Sequence, residues 1–259
     1  MTLQSFALSV DSGGGGERKP RLLDLFCGQG GAGAGYHRAG FDVVGVDLAM
    51  KQQPDGSYVD DPAIPARYPF EFIKGDALAA LACVINGSWR FDAIHASPPC
   101  QDHSATRDLG GHHGTDWLLA ATRERLLATG LPWVLENVQG APLAHQADLF
   151  GANGLVLCGC MFPELRGLLY EDRVFETSVP VPQPPHVLHQ WRQTKMGRPP
   201  VPGECMQVTG HFTDAAEGRR RMGAEWMTRD GLAQAIPPAY TEYLGRHLLG
   251  ALSGAGRAA

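Results

Sequence analysis

RLLDLFCGQGGAGAGYHRAG, residues 21 to 40, carries three signals in succession. LLDLF is an apolar run short enough for a buried strand, CGQGG is a glycine-dense turn, and GAGYHRAG has the small residues of a tightly packed helix. DVVGVD, residues 42 to 47, then returns to a strand. A glycine-rich turn between a strand and a helix lets a ligand approach the backbone and meet the amides at the positive end of the helix.

The alternation continues outward. FEFIKGD (70 to 76), FDAIHA (91 to 96) and PWVLENV (132 to 138) read as strands, and WLLAATRERLLATG (117 to 130) reads as a helix closed by Gly130. Such a series predicts an α/β domain, a parallel sheet with helices on both faces, whose ligands sit at the C-terminal strand ends. CGQGG, VD, GDA, SPPCQ and ENV all fall at such ends.

Beyond about residue 150 the alternation fails. VPVPQPPHVLHQWRQTKMGRPPVPGE (179 to 204) is proline-rich, holds Arg192, Lys195 and Arg198, and has no acidic residue before Glu204, so irregular surface structure is expected there. WMTRDGLAQAIPPAYTEYLGRHLLGAL (226 to 252) regains an apolar helical period after Pro238 and is expected to pack back on the sheet. The expected organisation is a loose glycine-rich arm over 1–19, a catalytic domain over 20–176, a small irregular recognition region over 177–222 and a returning C-terminal segment over 223–259.

Composition narrows the class. A hydrophobic content of 44% in 259 residues suffices for a substantial core, and a net charge of -5 argues against a globally basic nucleic-acid coat while leaving room for a local basic groove. Six cysteines are too few and too scattered for a disulfide scaffold, and no apolar run reaches membrane-spanning length, so a soluble cytoplasmic protein with free thiols is expected, with no membrane partner.

Asp47 and Asp76 end the second and third strands, where a carboxylate accepts ribose hydroxyls; the plainer alternative is a turn or helix-cap residue. The glycine spacing does not follow the dinucleotide fingerprint, and S-adenosylmethionine fits better. Cys100 follows a strand stopped by Pro98 and Pro99, and could be a nucleophile, a metal ligand with His103, or a small buried hydrophobe. Glu136, at the end of the next strand, separates these readings. A thiolate and a carboxylic acid aimed into one crevice serve addition to an electron-poor ring, the acid protonating or hydrogen-bonding a ring nitrogen.

Taken together, DLFCGQGG (24 to 31), GVD (45 to 47), GDA (75 to 77), SPPCQ (97 to 101) with Ser104, and ENV (136 to 138) resemble the motifs of the DNA cytosine-C5 methyltransferase family, in the family's order; RVFET (173 to 177) extends the match more weakly. The resemblance is to compact, often phage-associated members. It implies a Rossmann-like S-adenosylmethionine-dependent fold, methyl transfer to C5 of cytosine in double-stranded DNA through a Cys100 adduct at C6, and base flipping. Catalytic roles fall on Cys100, Glu136 and Arg173. Phe26, Cys27, Gly28, Gly30, Asp47, Leu48, Asp76, Ala77 and Pro98 would hold the cofactor, and Pro99, Gln101, Ser104, Asn137, Arg192 and Lys195 the nucleic acid. A monomer is expected, and a cognate restriction endonuclease is a compatible partner.

Three departures from the family pattern stand out. Glu171 occupies the place of a second basic residue beside Arg173, the span from Thr177 to Met222 is short for a recognition domain, and AIPPAYTEYLG stands where a Gly-Asn pair is usual. A short recognition site follows, with Arg192, Lys195, Arg198 and Arg219 to Arg221 as candidate phosphate contacts. The same chemistry on transfer RNA, or a silent cofactor-fold DNA-binding protein, are the rival readings. Cys158 and Cys160 would need Cys205 or a histidine to bind zinc, but their single-residue gap is shorter than the usual two, so no metal is expected.

Overall fold

The computed structural model describes residues 18–53, 55–99, 116–137, 153–195, 197–210 and 212–255. The expected first unit is present as β1 (Arg21–Leu25), α1 (Gly31–Ala39) and β2 (Asp42–Asp47). A small hairpin, β3 (Met50–Gln52) and β4 (Tyr58–Asp60), and the short helix α2 (Ala63–Arg67) lead to β5 (Glu71–Lys74) and α3 (Ala77–Ile85). Then come β6 (Ala93–Ala96), α4 (Asp116–Thr129) and β7 (Trp133–Asn137).

Two further strands lie past residue 150, β8 (Asn153–Cys158) and β9 (Asp172–Thr177). They continue the sheet past the point where the alternation fails, and they correct the expectation of a purely parallel sheet. The main sheet runs β5-β2-β1-β6-β7-β9-β8, and β9 is antiparallel to both of its neighbours. An antiparallel pair needs no crossover helix, so β8 and β9 leave no helical period between them to announce the sheet's continuation. The proline-rich stretch is irregular apart from β10 (Arg192–Gln193) and β11 (Glu204–Cys205), which pair with each other. The chain ends in α5 (Ala215–Met222), α6 (Arg229–Gln234) and α7 (Pro238–Ala255).

Alternating side chains of each strand supply the two cores. Leu22, Val43, Ala93 and Val134 face Tyr36 of α1 and Tyr240, Leu244 and Leu248 of α7, while Leu23, Val44, Ile94 and Leu135 face Leu81 of α3 and Leu126 of α4. The contact of α1 with α7 is close enough to need glycine: a Cβ at Gly35 would lie 2.0 Å from Thr241 Oγ1 and 2.1 Å from the Pro238 carbonyl. Thr241 Oγ1 donates to the Ala32 carbonyl at 2.8 Å across the same contact. Among the described residues, no helix is long and apolar enough to cross a membrane.

Candidate active site

The strand order reverses between β1 and β6, which opens a crevice beyond the C-terminal ends of those strands. Its rim is stitched together by the backbone. Gly28 N donates to Asp47 Oδ2 at 3.0 Å, Gly75 N donates to the Asp47 carbonyl at 2.9 Å, and Ser97 N donates to the Leu25 carbonyl at 3.2 Å. The loops after β1, β2, β5 and β6 are thus held as one surface.

The glycine loop sits in an unusual conformation. Phe26 has φ of 58°, an expensive value for a residue with a side chain, and Gly28 and Gly30 have φ of 50° and 87°. A Cβ at Gly30 would lie 2.8 Å from the Pro69 ring, so glycine is needed there, whereas a Cβ at Gly28 would meet nothing within 4 Å among the described residues. The open space over Gly28 is where a ligand can approach the backbone. Cys27 is buried, and its thiol packs behind the loop towards Gly45; burial pushes that thiol well above its ordinary range. Any contact of Cys27 with a cofactor would therefore run through its backbone.

Asp47 also accepts from Ala49 N, at 2.7 Å through Oδ1, and burial raises its pKa despite these two bonds. A carboxylate has room for further donors, such as ribose hydroxyls. Leu48 beside it is 49% exposed, an apolar side chain presented at the rim. Asp76 is exposed and caps α3 by accepting from Ala79 N at 2.8 Å, with Ala77 buried as the first helical residue. Of the residues assigned to the nucleic acid, Pro99 is exposed after the buried Pro98, while Asn137 is wholly buried at the end of β7. Cys100, Gln101 and Ser104 lie outside the described residues.

Glu136 and Arg173 come together at the ends of β7 and β9. Arg173 Nε is 3.7 Å from Glu136 Oε1, and Arg173 Nη2 donates to Glu171 Oε1 at 2.5 Å. All three side chains are buried. Glu136 Oε1 has no hydrogen-bond partner among the described residues. Burial pushes the Glu136 carboxyl up to about 7, Arg173 pulls it down and Glu171 raises it again. Two carboxylates share one arginine here, so Glu136 can carry a proton near neutrality.

Several supporting residues are not apparent from the motifs. Tyr68 donates to Asp24 Oδ2 at 3.2 Å beneath the glycine loop, and Tyr36 Oη lies 3.0 Å from His95 Nδ1. Gln29 is buried between two glycines and grips the chain 199 residues later: Thr228 N donates to Gln29 Oε1 at 2.8 Å, and Trp226 Nε1 donates to the Gln29 carbonyl at 2.7 Å. A polar side chain inside a glycine turn was the available signal, but not its partner.

The basic residues divide. Arg192 and Lys195 are exposed, as a nucleic-acid contact requires. Arg198 is engaged by Glu204, and Arg221 is buried, with Glu217 and the carbonyls of Leu168 and Glu204 as partners. Arg219 donates to the Met227 carbonyl and Arg220 pairs with Glu217. Arg219 and Arg221 therefore hold local structure, while Arg220 stays exposed beside Glu217.

A mixed seven-stranded sheet with a crevice at the strand-order reversal defines a Rossmann-like α/β fold of the methyltransferase type. The chain is similar in fold to a protein assigned as a DNA modification methyltransferase encoded within an E. coli prophage, with a TM-score of 0.61 and 14% identity over 90% of this chain and 99% of that one. It is likewise similar to the S. pombe Dnmt2 methyltransferase, at a TM-score of 0.55 and 14% identity, and to the Entamoeba histolytica methyltransferase EhMeth, at 0.54 and 11%. Each of these two covers 91% of this chain over 99% of its own length. No family model and no curated protein sequence matches the chain.

Proposed function

We propose that the protein is an S-adenosylmethionine-dependent methyltransferase acting on C5 of cytosine in DNA. The observation that carries this reading is Glu136, a buried carboxyl held near neutral pKa at the end of β7, beside the strand whose end runs through Pro98 and Pro99 into Cys100. The fold shared with the methyltransferases supports it.

The rim fits the cofactor. The space over Gly28 would receive the cofactor, the Asp47 carboxylate would accept its ribose hydroxyls and the exposed Leu48 would cover its adenine, with Phe26 and Gly30 shaping the loop and Asp76 available to the base. S-adenosylmethionine supplies the methyl group as an electrophile. The chain's own residues prepare the acceptor. The Cys100 thiolate bonds to C6 while the Glu136 proton passes to N3, so that the ring electrons are released towards C5 rather than trapped as charge on nitrogen. Once C5 is alkylated, its proton passes to solvent water, the C5–H electron pair restores the C5–C6 double bond as the Cys100–C6 bond breaks to give back the thiolate, and N3 returns its proton to Glu136. Arg173 orients the carboxyl and limits how far its pKa can rise.

The deciding experiment is transfer of labelled methyl from S-adenosylmethionine to duplex DNA and, separately, to transfer RNA. DNA labelling at C5 of cytosine, abolished in Cys100→Ala, is the expected result; labelling of RNA alone overturns the choice of nucleic acid, and no labelling of either overturns the activity.

A further inference from the structure

Cys158 ends β8, and Cys160 sits in the single 3-10 turn that follows, Gly159–Met161. The residue between them is pressed against the chain: a Cβ at Gly159 would lie 2.3 Å from the Leu169 carbonyl oxygen. With glycine there the turn closes tightly, and both sulfurs come to the same side, 3.4 Å apart. The proline-rich stretch after β9 then returns two histidines to them. Cys160 Sγ is 3.2 Å from His186 Nε2 and 3.3 Å from His189 Nε2, and Cys158 Sγ is 3.3 Å from His189 Nε2.

All four donor atoms lie within 4.8 Å of one another. A tetrahedral zinc ion, with bonds of about 2.3 Å to sulfur and about 2.0 Å to imidazole nitrogen, sets sulfur and nitrogen donors about 3.5 Å apart. The sulfurs are buried and the imidazoles exposed, so the ion has a route in from solvent. His189 is further held edge-on to the Tyr170 ring, with centroids 4.0 Å apart. Cys205 does not join the cluster; its thiol reaches the carbonyls of Trp191 and Arg192.

We propose that Cys158, Cys160, His186 and His189 form a structural zinc site. Two thiolates neutralise the dication, and two neutral imidazoles complete a closed tetrahedron with no open position for chemistry. The expectation of no metal rested on the gap between the two cysteines, and the Gly159 turn shows how so short a gap can still present both sulfurs. The site joins the end of β8 to a segment, residues 178–191, that contains four prolines and has little backbone pairing of its own. Its other fastenings include the Gln183 side-chain amide, which donates to the Val156 carbonyl at 2.6 Å, the Tyr243 hydroxyl, which donates to the Pro182 carbonyl, Ser178, which bonds to Trp133, and the buried Val181. Zinc would therefore fix where the chain enters β10 and presents Arg192 and Lys195.

The test uses the full-length protein purified without chelator and needs no activity. Elemental analysis should find ~1 zinc per chain, lost in Cys160→Ser and in the surface variant His189→Ala, which spares the buried sulfurs. Cobalt(II) added to stripped protein should give the visible ligand-field bands of a tetrahedral site together with thiolate charge transfer. With free zinc at about 100 times its dissociation constant, opening of the segment should be suppressed about 100-fold, read as slower tryptic cleavage after Arg192 and Lys195. Absence of bound metal together with no cobalt spectrum overturns the proposal, as does a Cys158–Cys160 disulfide in protein isolated under reducing conditions. Retention of full zinc in both variants overturns it too.

Discussion

Arg173 Nη2 donates to Glu171 Oε1 at 2.5 Å, whereas its Nε stands 3.7 Å from Glu136 Oε1. The guanidinium is thus drawn towards a carboxylate at the position where the resembled family has a second basic residue. Glu171 weakens the hold of Arg173 on Glu136 and adds its own negative charge, and both effects favour a protonated Glu136.

A pH profile follows. Glu136 is raised from its ordinary 4.5 to about 7, so it is protonated below that value and loses its proton above it. The alkaline limb of kcat/KM should fall through about pH 7. Glu171→Gln removes a raising influence and should move that limb to lower pH, while Glu136→Gln should lower turnover by about 100- to 10,000-fold. Initial rates across pH for the three proteins check this; an unmoved limb in Glu171→Gln refutes the coupling.

Stability should also depend on pH through Asp24. Burial raises its carboxyl from 3.8 to about 7, against the lowering influence of Tyr68. A folded-state pKa above the unfolded value means that the folded protein holds the proton more tightly. The contribution is complete below pH 3.8 and is lost as pH rises towards 7, by about 4 kcal/mol at most. Asp24→Asn should flatten that part of the profile relative to the parent protein, as read from urea midpoints at several pH values.

Arg123, part-buried on α4, and the buried Glu176 form a bidentate pair, with Nη2 to Oε1 at 2.6 Å. Arg123→Ala should cost about 3–5 kcal/mol by stranding the wholly buried Glu176. The double variant Arg123→Leu with Glu176→Leu should recover most of that loss in chemical denaturation, since the pair's own desolvation is then also removed.

Gln29 couples the glycine loop to the chain before α6. Gln29→Ala leaves the Trp226 bond to the backbone but removes those to Thr228. With about 1 kcal/mol for each of these two bonds, S-adenosylmethionine affinity should fall by up to about 30-fold, measurable by calorimetry. Unchanged affinity would separate the C-terminal segment from cofactor binding.

Gly35→Ala should be among the most damaging single-methyl changes, because the new carbon meets Thr241 and the Pro238 carbonyl rather than open space. Overpacking costs about 1–3 kcal/mol where neighbours can shift. Gly28→Ala has space but the wrong φ, so its penalty should come from the backbone instead. Thermal denaturation of the two variants, with and without cofactor, distinguishes clash from backbone strain.

Local chemistry alone determined a good deal about this protein. Period-two apolar runs, glycine at the first turn and polar residues at strand ends are near-neighbour patterns, and they placed β1, α1, β2, β6, α4 and β7 and drew attention to Asp47 and Glu136. Tertiary structure alone decided what depends on distant segments meeting. β8 and β9 join the sheet by antiparallel pairing, which leaves no helix in the sequence to mark it. Glu171 becomes part of the Glu136 site only because β7 and β9 lie side by side. Arg219 and Arg221 turn to local partners, and His186 and His189 reach Cys158 and Cys160 across a stretch whose prolines conceal any period. A side chain's neighbours along the chain are written in its sequence; the charges and ligands that set its chemistry arrive through folding.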